Sequence, residues 1–79
     1  MNWKEKDGYL QKKFKFKNWS DAVDFVNKIS KISEEVDHHP DILLKWGVVV
    51  VRLKTHDKDS ITQKDHELAK LISAEQDLG

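Results

Sequence analysis

Apolar residues recur at helical spacing between Asn18 and Asp37, and this is the clearest periodic pattern in the chain. Asn18 is a favourable N-cap and Asp21 a favourable first-turn residue. Pro40 disfavours helical backbone at the residue before it, so the helix should end at about Asp37 or His38. The apolar positions follow intervals of three and four residues: Ala22, Phe25, Val26, Ile29, Ile32 and Val36.

Extended segments are predicted before this helix. Residues 3–6 and 9–17 flank Asp7-Gly8, a dipeptide suited to the positive backbone torsions of a tight hairpin turn. In the second segment Phe14 and Phe16 alternate with lysines. We expect the phenylalanines to share one face of a strand and pack on the core, leaving the lysines in water.

Two more strands are predicted after Pro40. Residues 42–46 form a short apolar run, Gly47 interrupts it, and residues 48–55 are rich in β-branched side chains. In the second run both faces are apolar: Val49, Val51 and Leu53 on one, Val48 and Val50 on the other. A second copy of the chain is the simplest cover for those two valines, so we expect a homodimer or homotetramer joined through the sheet surface or edge, although an irregular crossing that buries them would also serve.

A final helix begins after Thr62-Gln63-Lys64-Asp65, which has the form of a capping box with aspartate in place of glutamate. The element order is therefore β-β-α-β-β-α, with no internal repeat or linker, in a single domain over residues 1–79. Because strands and helices do not alternate strictly, this order favours the α+β class, with a four-stranded antiparallel sheet and both helices packed on one face.

Composition narrows the class of protein. The 79 residues contain 14 basic and 14 acidic side chains and no cysteine, so disulfides and thiolate metal sites are excluded and the global charge of a dedicated nucleic-acid binder is absent. No apolar run approaches the ~20 residues that span a bilayer, and the first residues lack the apolar stretch of a signal peptide. We expect a cytoplasmic protein that does not bind membranes. The lysines that alternate with Phe14 and Phe16 leave base stacking over a basic strand as the less favoured alternative to core packing.

Three of the four histidines lie near predicted element ends: His38, His39 and His56. Histidine exchanges protons near neutral pH, so this clustering suggests a proton-transfer site. Glu34 precedes His38 by four residues, which would let its carboxylate orient that imidazole on one helix face. Spacing alone does not show that His56 meets the pair. A zinc site on the three histidines is a rival interpretation, but adjacent histidines usually point in different directions, and we favour proton transfer.

The same residues form a longer signature. Glu34, three residues, His38-His39-Pro40, five residues, Trp46, nine residues, His56, eight residues and Asp65 follow one another at fixed spacing. This string resembles the signature of the pterin-4a-carbinolamine dehydratases, and the similarity extends over roughly residues 9–72.

The resemblance implies a hydro-lyase that removes water from 4a-hydroxytetrahydropterin to give quinonoid dihydropterin, in tetrahydrobiopterin recycling, without a metal or organic cofactor. It also implies a dimeric or tetrameric assembly. By the resemblance His38 and His56 are the acid/base pair, His39 binds substrate, and the supporting or substrate-binding residues are Glu34, Asp37, Pro40, Trp46, Lys64 and Asp65.

Some positions keep alternative interpretations. Asp65 is explained by the capping box without any role in catalysis, and Trp46 is explained by packing. The chain has Ser60 where the family commonly has glycine, and Lys64 where arginine is frequent. Two other functions stay open: a binding module that acts as a dimerisation cofactor or scaffold for a partner protein, and pterin binding in another pathway.

Overall fold

The computed structural model describes residues 3–78, and it contains the predicted order of strands and helices. A turn of 3-10 helix, His56–Lys58, is the one element that the sequence pattern did not predict. The strands and helices are β1 Lys4–Lys6, β2 Tyr9–Lys15, α1 Trp19–Val36, β3 Asp41–Lys45, β4 Val48–Leu53 and α2 Gln63–Leu78. The α+β class with order β-β-α-β-β-α is thereby confirmed.

The four strands form one antiparallel sheet in the order β1-β2-β4-β3, so β1 and β3 are its edges. Both helices lie against the same face. Leu10 and Phe14 of β2 and the odd-numbered residues of β4 point toward them, and this layer forms the core with Phe25 and Ile29 of α1. Leu68, Ala69 and Ile72 of α2 complete the core.

Two turns need backbone torsions that favour glycine. In the β1-β2 hairpin Asp7 has φ 54° and Gly8 has φ 82°, as expected for a tight hairpin turn. Gly47 between β3 and β4 has φ 70°, and a β-carbon there would lie 2.9 Å from the carbonyl oxygen of Phe16. The Phe16 amide donates to the Gly47 carbonyl at 2.8 Å, so this turn is fastened to the end of β2.

Helix α1 begins and ends as its sequence predicts. The Asn18 side chain accepts a hydrogen bond from the Asp21 amide at 2.8 Å. At the other end Asp37 adopts the left-handed conformation, and the amides of Asp37 and His38 both bond to the Ser33 carbonyl. The helix therefore stops at Val36, and His38 and His39 lie in the segment between α1 and β3.

The lysines of β2 lie on both faces of the sheet. Phe14 is buried and Phe16 packs against the core, as predicted. Lys12 shares the helix-facing side with Phe14, and its Nζ lies 4.8 Å from the centre of that ring. Its placement corrects the expectation that all these lysines extend into water, since residues two apart in a strand share a face.

No helix within residues 3–78 is long and apolar enough to cross a membrane. Val48 and Val50 lie half-buried on the face of the sheet opposite the helices.

Candidate active site

Three elements meet beside the residues singled out in the sequence: the carboxyl end of α1, the end of β4 and the start of α2. Between them lies an open cleft of about 290 Å³. His38 and His39 reach it from the segment after α1, and His56 reaches it from the 3-10 turn after β4. The cleft is lined by Asp37, His38, His39, Thr55, His56, Asp57 and Lys64.

His38 is hydrogen-bonded to the carboxylate of Asp65, a residue of α2. Its Nε2 lies 2.6 Å from Asp65 Oδ1, and the two residues are 27 positions apart in sequence. The Asp65 side chain is fully buried, whereas 14% of the His38 side chain is exposed. The imidazole is therefore fixed by an inaccessible carboxylate while part of it remains open to the cleft.

The Asp65 carboxylate is itself held by two further hydrogen bonds. Its Oδ2 accepts from the Thr55 hydroxyl at 2.8 Å and from the Thr62 amide at 2.9 Å. A hydroxyl has one proton, so Thr55, which donates to Asp65, must accept from Thr62 Oγ1 at 2.6 Å. The capping interaction expected of Asp65 is present, because the Thr62 amide is bonded, but the same carboxylate also orients His38.

These hydrogen bonds decide the charge of Asp65. Burial opposes its ionisation, but the hydrogen bonds from His38, the Thr62 amide and Thr55 outweigh burial and lower the pKa of the Asp65 carboxyl below its ordinary value. An ionised carboxylate accepts hydrogen bonds only. The proton of a neutral His38 therefore sits on Nε2, which leaves Nδ1 as the acceptor nitrogen of the ring.

Glu34 has a different partner from the one its spacing suggested. Its Oε2 contacts Nε2 of His39, and His38 is paired with Asp65 instead. The helix ends at Val36, so His38 is no longer on the helical face that Glu34 occupies. Both partners of this second pair are exposed, at 54% for His39 and 74% for Glu34.

The loop that carries His56 is closed at its base. Thr55 and Ser60 exchange backbone hydrogen bonds, and Asp59 takes the left-handed conformation with φ 50°. Lys54 Nζ lies 2.6 Å from Asp59 Oδ1, and this hydrogen bond raises the pKa of Lys54 and lowers the pKa of Asp59. Ser60 is not among the positive-φ residues, so serine in place of the family's common glycine imposes no left-handed strain.

Four predicted site residues do not line the cleft: Glu34 and Asp65, which contact its histidines, and Pro40 and Trp46. Pro40 lies between His39 and the first residue of β3, where its ring restricts the backbone. Trp46 lies at the far end of β3 and is 69% exposed, so within this chain it neither packs in the core nor lines the cleft.

Three residues of the site were not predicted as such. Thr55 is buried at the end of an apolar strand, and a polar residue at such a position is a signal for a specific hydrogen bond. Thr62 was predicted only as a helix cap. Asp57, which lines the cleft beside His56, gave no signal in the sequence that separates it from a solvated loop residue.

The histidines do not form a metal-binding group. Over the part of the chain that the structure describes, no three His, Asp or Glu side chains are arranged to hold a metal ion. Nε2 of His38 and Nε2 of His39 each face a different carboxylate, which gives each imidazole an organic partner of its own.

The fold and the cleft together define a small α+β protein with three imidazoles around one open site. The sequence profile of the family described as pterin 4 alpha carbinolamine dehydratase matches residues 1–75. The chain belongs to this family.

Relatives and solved structures agree with the family. The chain is 49% identical over 67 residues to a protein of Picosynechococcus provisionally named pterin-4-alpha-carbinolamine dehydratase, covering 85% of this chain and 73% of the relative. A protein of Sulfolobus acidocaldarius with the same provisional name is 46% identical over 71 residues, covering 90% and 78%. The crystal structure of a transcriptional coactivator/pterin dehydratase from Brucella melitensis superposes with a TM-score of 0.86 at 31% identity, covering 91% of this chain and 79% of that one.

A more distant structure shares the fold alone. It is a pterin dehydratase-like protein identified as a RuBisCO assembly factor in the alpha-carboxysome. Its TM-score is 0.79 at 21% identity, over 94% of this chain and 88% of that one.

Proposed function

We propose that this protein catalyses the dehydration of a 4a-hydroxytetrahydropterin to a quinonoid dihydropterin, releasing water, as a hydro-lyase of tetrahydrobiopterin recycling in the cytoplasm. The observation that carries the proposal is the cleft shared by His38, His39 and His56 in a chain of the pterin dehydratase family. A chain without cysteine is compatible with a reducing compartment.

The reaction needs two proton transfers. The hydroxyl on carbon 4a must gain a proton to leave as water, and the neighbouring ring nitrogen must lose one. Imidazoles on two sides of one heterocycle can perform both transfers near neutral pH without a metal or organic cofactor.

The hydrogen bonds support different roles for the two histidines. With its proton held on Nε2 by Asp65, a neutral His38 offers Nδ1 as a base, which suits removal of the proton from the pterin nitrogen. His56 is exposed and lines the same cleft, and it is the proposed acid for the departing hydroxyl. Asp65 acts through His38 and is a positioning residue.

The remaining polar side chains fit a binding role. His39, oriented by Glu34, is proposed to donate to a polar atom of the pterin. Asp37 and Lys64 line the same cleft and are proposed to fix the orientation of the ring. Lysine in place of the family's frequent arginine keeps the positive charge but gives up a planar, bidentate donor.

The decisive experiment follows formation of the quinonoid product by absorbance from freshly generated 4a-hydroxytetrahydropterin. We expect His38→Ala and His56→Ala each to lower the enzyme-dependent rate by roughly 10²- to 10⁴-fold, the range of general acid or base catalysis. His66→Ala is the matched control, because His66 is exposed on α2 and lines no part of this cleft. Equal rates for wild type and all three variants would refute the enzymatic proposal.

Self-association is a second proposal, and the exposed apolar side chains at the β3 edge support it. Leu43 and Trp46 are exposed by 56% and 69%, and an edge strand offers unpaired backbone groups to another chain. We propose that a second copy of this protein pairs there to form a homodimer, or a homotetramer of two such pairs, in which each copy keeps its own cleft.

A further inference from the structure

The whole chain has equal numbers of acidic and basic residues, but one face of the sheet carries mostly basic ones. The register places twelve strand residues on the side away from the helices, and of these six are cations and one, Asp41, is an anion. We call this side the basic face. It consists of Lys4, Lys6, Tyr9, Gln11, Lys13, Lys15, Asp41, Leu43, Lys45, Val48, Val50 and Arg52.

An apolar strip crosses the basic face along β4 and β3. Val50 lies in register with Leu43 on one side and Lys13 on the other. Val48 lies in register with Lys15 and Lys45. Leu43 is exposed and the two valines are half-buried, so the strip is a shallow apolar surface with two lysines on its β2 side and Lys45 beside Val48 on its β3 side.

An open groove of about 500 Å³ continues the basic face over β1 and β2. Lys4, Lys6, Gln11 and Lys13 are among the residues that line it. The lining also includes Glu5 and Lys12, whose register with Leu10 and Val51 assigns them to the helix-facing side. The groove thus extends the cationic surface to the opposite edge of the sheet.

We propose that the basic face binds an acidic polypeptide segment that also carries apolar side chains. Apolar side chains of the partner would cover Leu43, Val48 and Val50, and its carboxylates would pair with the surrounding lysines. Complementary charge of this kind mainly sets the association rate and the choice of partner, while the apolar contacts add affinity.

The face fits other occupants less well. Proteins that bind single strands of nucleic acid on a sheet stack bases on open aromatic rings. On this face Tyr9 is the strand aromatic, and its ring is covered by Arg52 at 3.9 Å, with Lys54 Nζ at 5.0 Å. A second copy docked face to face would set two cationic surfaces against each other.

The test is fluorescence anisotropy with a labelled peptide of alternating glutamate and leucine residues, at several salt concentrations. We expect saturable, salt-sensitive binding that weakens by about tenfold or more in the triple variant Lys13→Glu, Lys15→Glu, Lys45→Glu, because like charges replace three ion pairs. The matched control is Lys28→Glu, Lys31→Glu, Lys70→Glu, which changes the net charge equally on the exposed helix side and should leave binding within about twofold.

Val50→Gln tests the apolar strip with the charge unchanged and on the interior strand β4, away from the β3 edge proposed for self-association, and it should also weaken binding of this peptide. A peptide of glutamate alone should bind more weakly.

The proposal is overturned if no saturable binding is seen up to about 1 mM, or if the control triple variant loses as much affinity as the basic-face triple variant. It is equally overturned if a single-stranded oligonucleotide or an anionic phospholipid vesicle binds more tightly than the peptide. Thermal unfolding of each variant, together with the dehydration rate, separates loss of this surface from loss of the fold or of the cleft.

Discussion

At the scale of single residues, the Asp65 carboxylate does the most to organise the site. It is buried and accepts hydrogen bonds from one imidazole, one hydroxyl and one backbone amide. Hydrogen bonds to an ionised group are worth about 1.5–3 kcal/mol each when one partner is removed. The same carboxylate therefore caps the first turn of α2 and orients His38, so its loss should affect both stability and activity.

We expect Asp65→Asn to lower kcat by roughly tenfold or more with little change in KM, because the amide no longer fixes the His38 tautomer. Unfolding free energy at pH 7 should fall by about 1–3 kcal/mol. Steady-state kinetics and urea unfolding check both numbers. Asn18→Ala is the control for destabilisation, since it removes the cap of α1 at a cost of about 1 kcal/mol. If Asn18→Ala lowered kcat as much as Asp65→Asn does, the positioning role of Asp65 would be contradicted.

The pH dependence of stability tests the charge of Asp65. Its pKa in the folded protein is below its ordinary value of 3.8, so the unfolded chain binds the proton more readily. The group therefore stabilises the fold above about pH 4, and this contribution is lost as pH falls through the lower, folded pKa. The difference in unfolding free energy between wild type and Asp65→Asn should shrink between pH 7 and pH 3. A difference that stays constant over this range would show that Asp65 is not ionised in the folded protein.

At the scale of elements, the turns fix the register of the sheet. Gly47 joins β3 to β4 with positive φ, and a β-carbon at this position would lie against the carbonyl oxygen of Phe16. Gly8 also has positive φ, but no atom lies within 4 Å of a β-carbon built there. An alanine at Gly8 would therefore cost only the strain of positive φ, whereas an alanine at Gly47 would also cost the steric contact with Phe16.

Gly47→Ala should destabilise the protein by about 1 kcal/mol or more beyond Gly8→Ala, because only the first variant adds a contact with backbone at 2.9 Å to the left-handed strain. Urea unfolding of both variants measures this difference. Equal losses of free energy would mean that the turn relaxes away from Phe16.

Most elements could be predicted from local sequence. Four local features act over a few residues each, and the structure contains all of them. They are the Asn18 cap of α1, the end of α1 before Pro40, the Asp7-Gly8 turn and the beginning of α2 after Thr62. The partner of His38 could not be found this way. Glu34 lies four residues before His38, at helical spacing, but the left-handed Asp37 ends the helix and turns His38 toward α2.

At the scale of the whole molecule, the sheet has two edge strands, β1 and β3, and one face that the helices do not cover. The β3 edge carries exposed Leu43 and Trp46, and the basic face carries six cations. Repulsion between two such faces argues against an oligomer joined through the sheet surface. Of the two modes of association expected from the sequence, the charges thus favour pairing at the edge.

Light scattering coupled to size-exclusion chromatography tests that interface. Leu43→Lys should shift the protein toward the monomer, because it places a charge at the proposed strand pair. Leu71→Lys adds the same charge to α2, where the leucine is 44% exposed, and should leave the mass unchanged. Dissociation by the α2 variant alone would place the interface on the helices instead.

The sequence by itself determined the order of the elements, the phenylalanine face that β2 buries and the family of the protein. These depend on residue spacing and short-range backbone chemistry, which do not require knowledge of distant contacts. Only the tertiary structure decided that Asp65 and not Glu34 holds His38, that Trp46 lies away from the cleft, and that cations from four strands share one face. Each of these depends on residues far apart in sequence, whose distances are set by how the helices dock on the sheet.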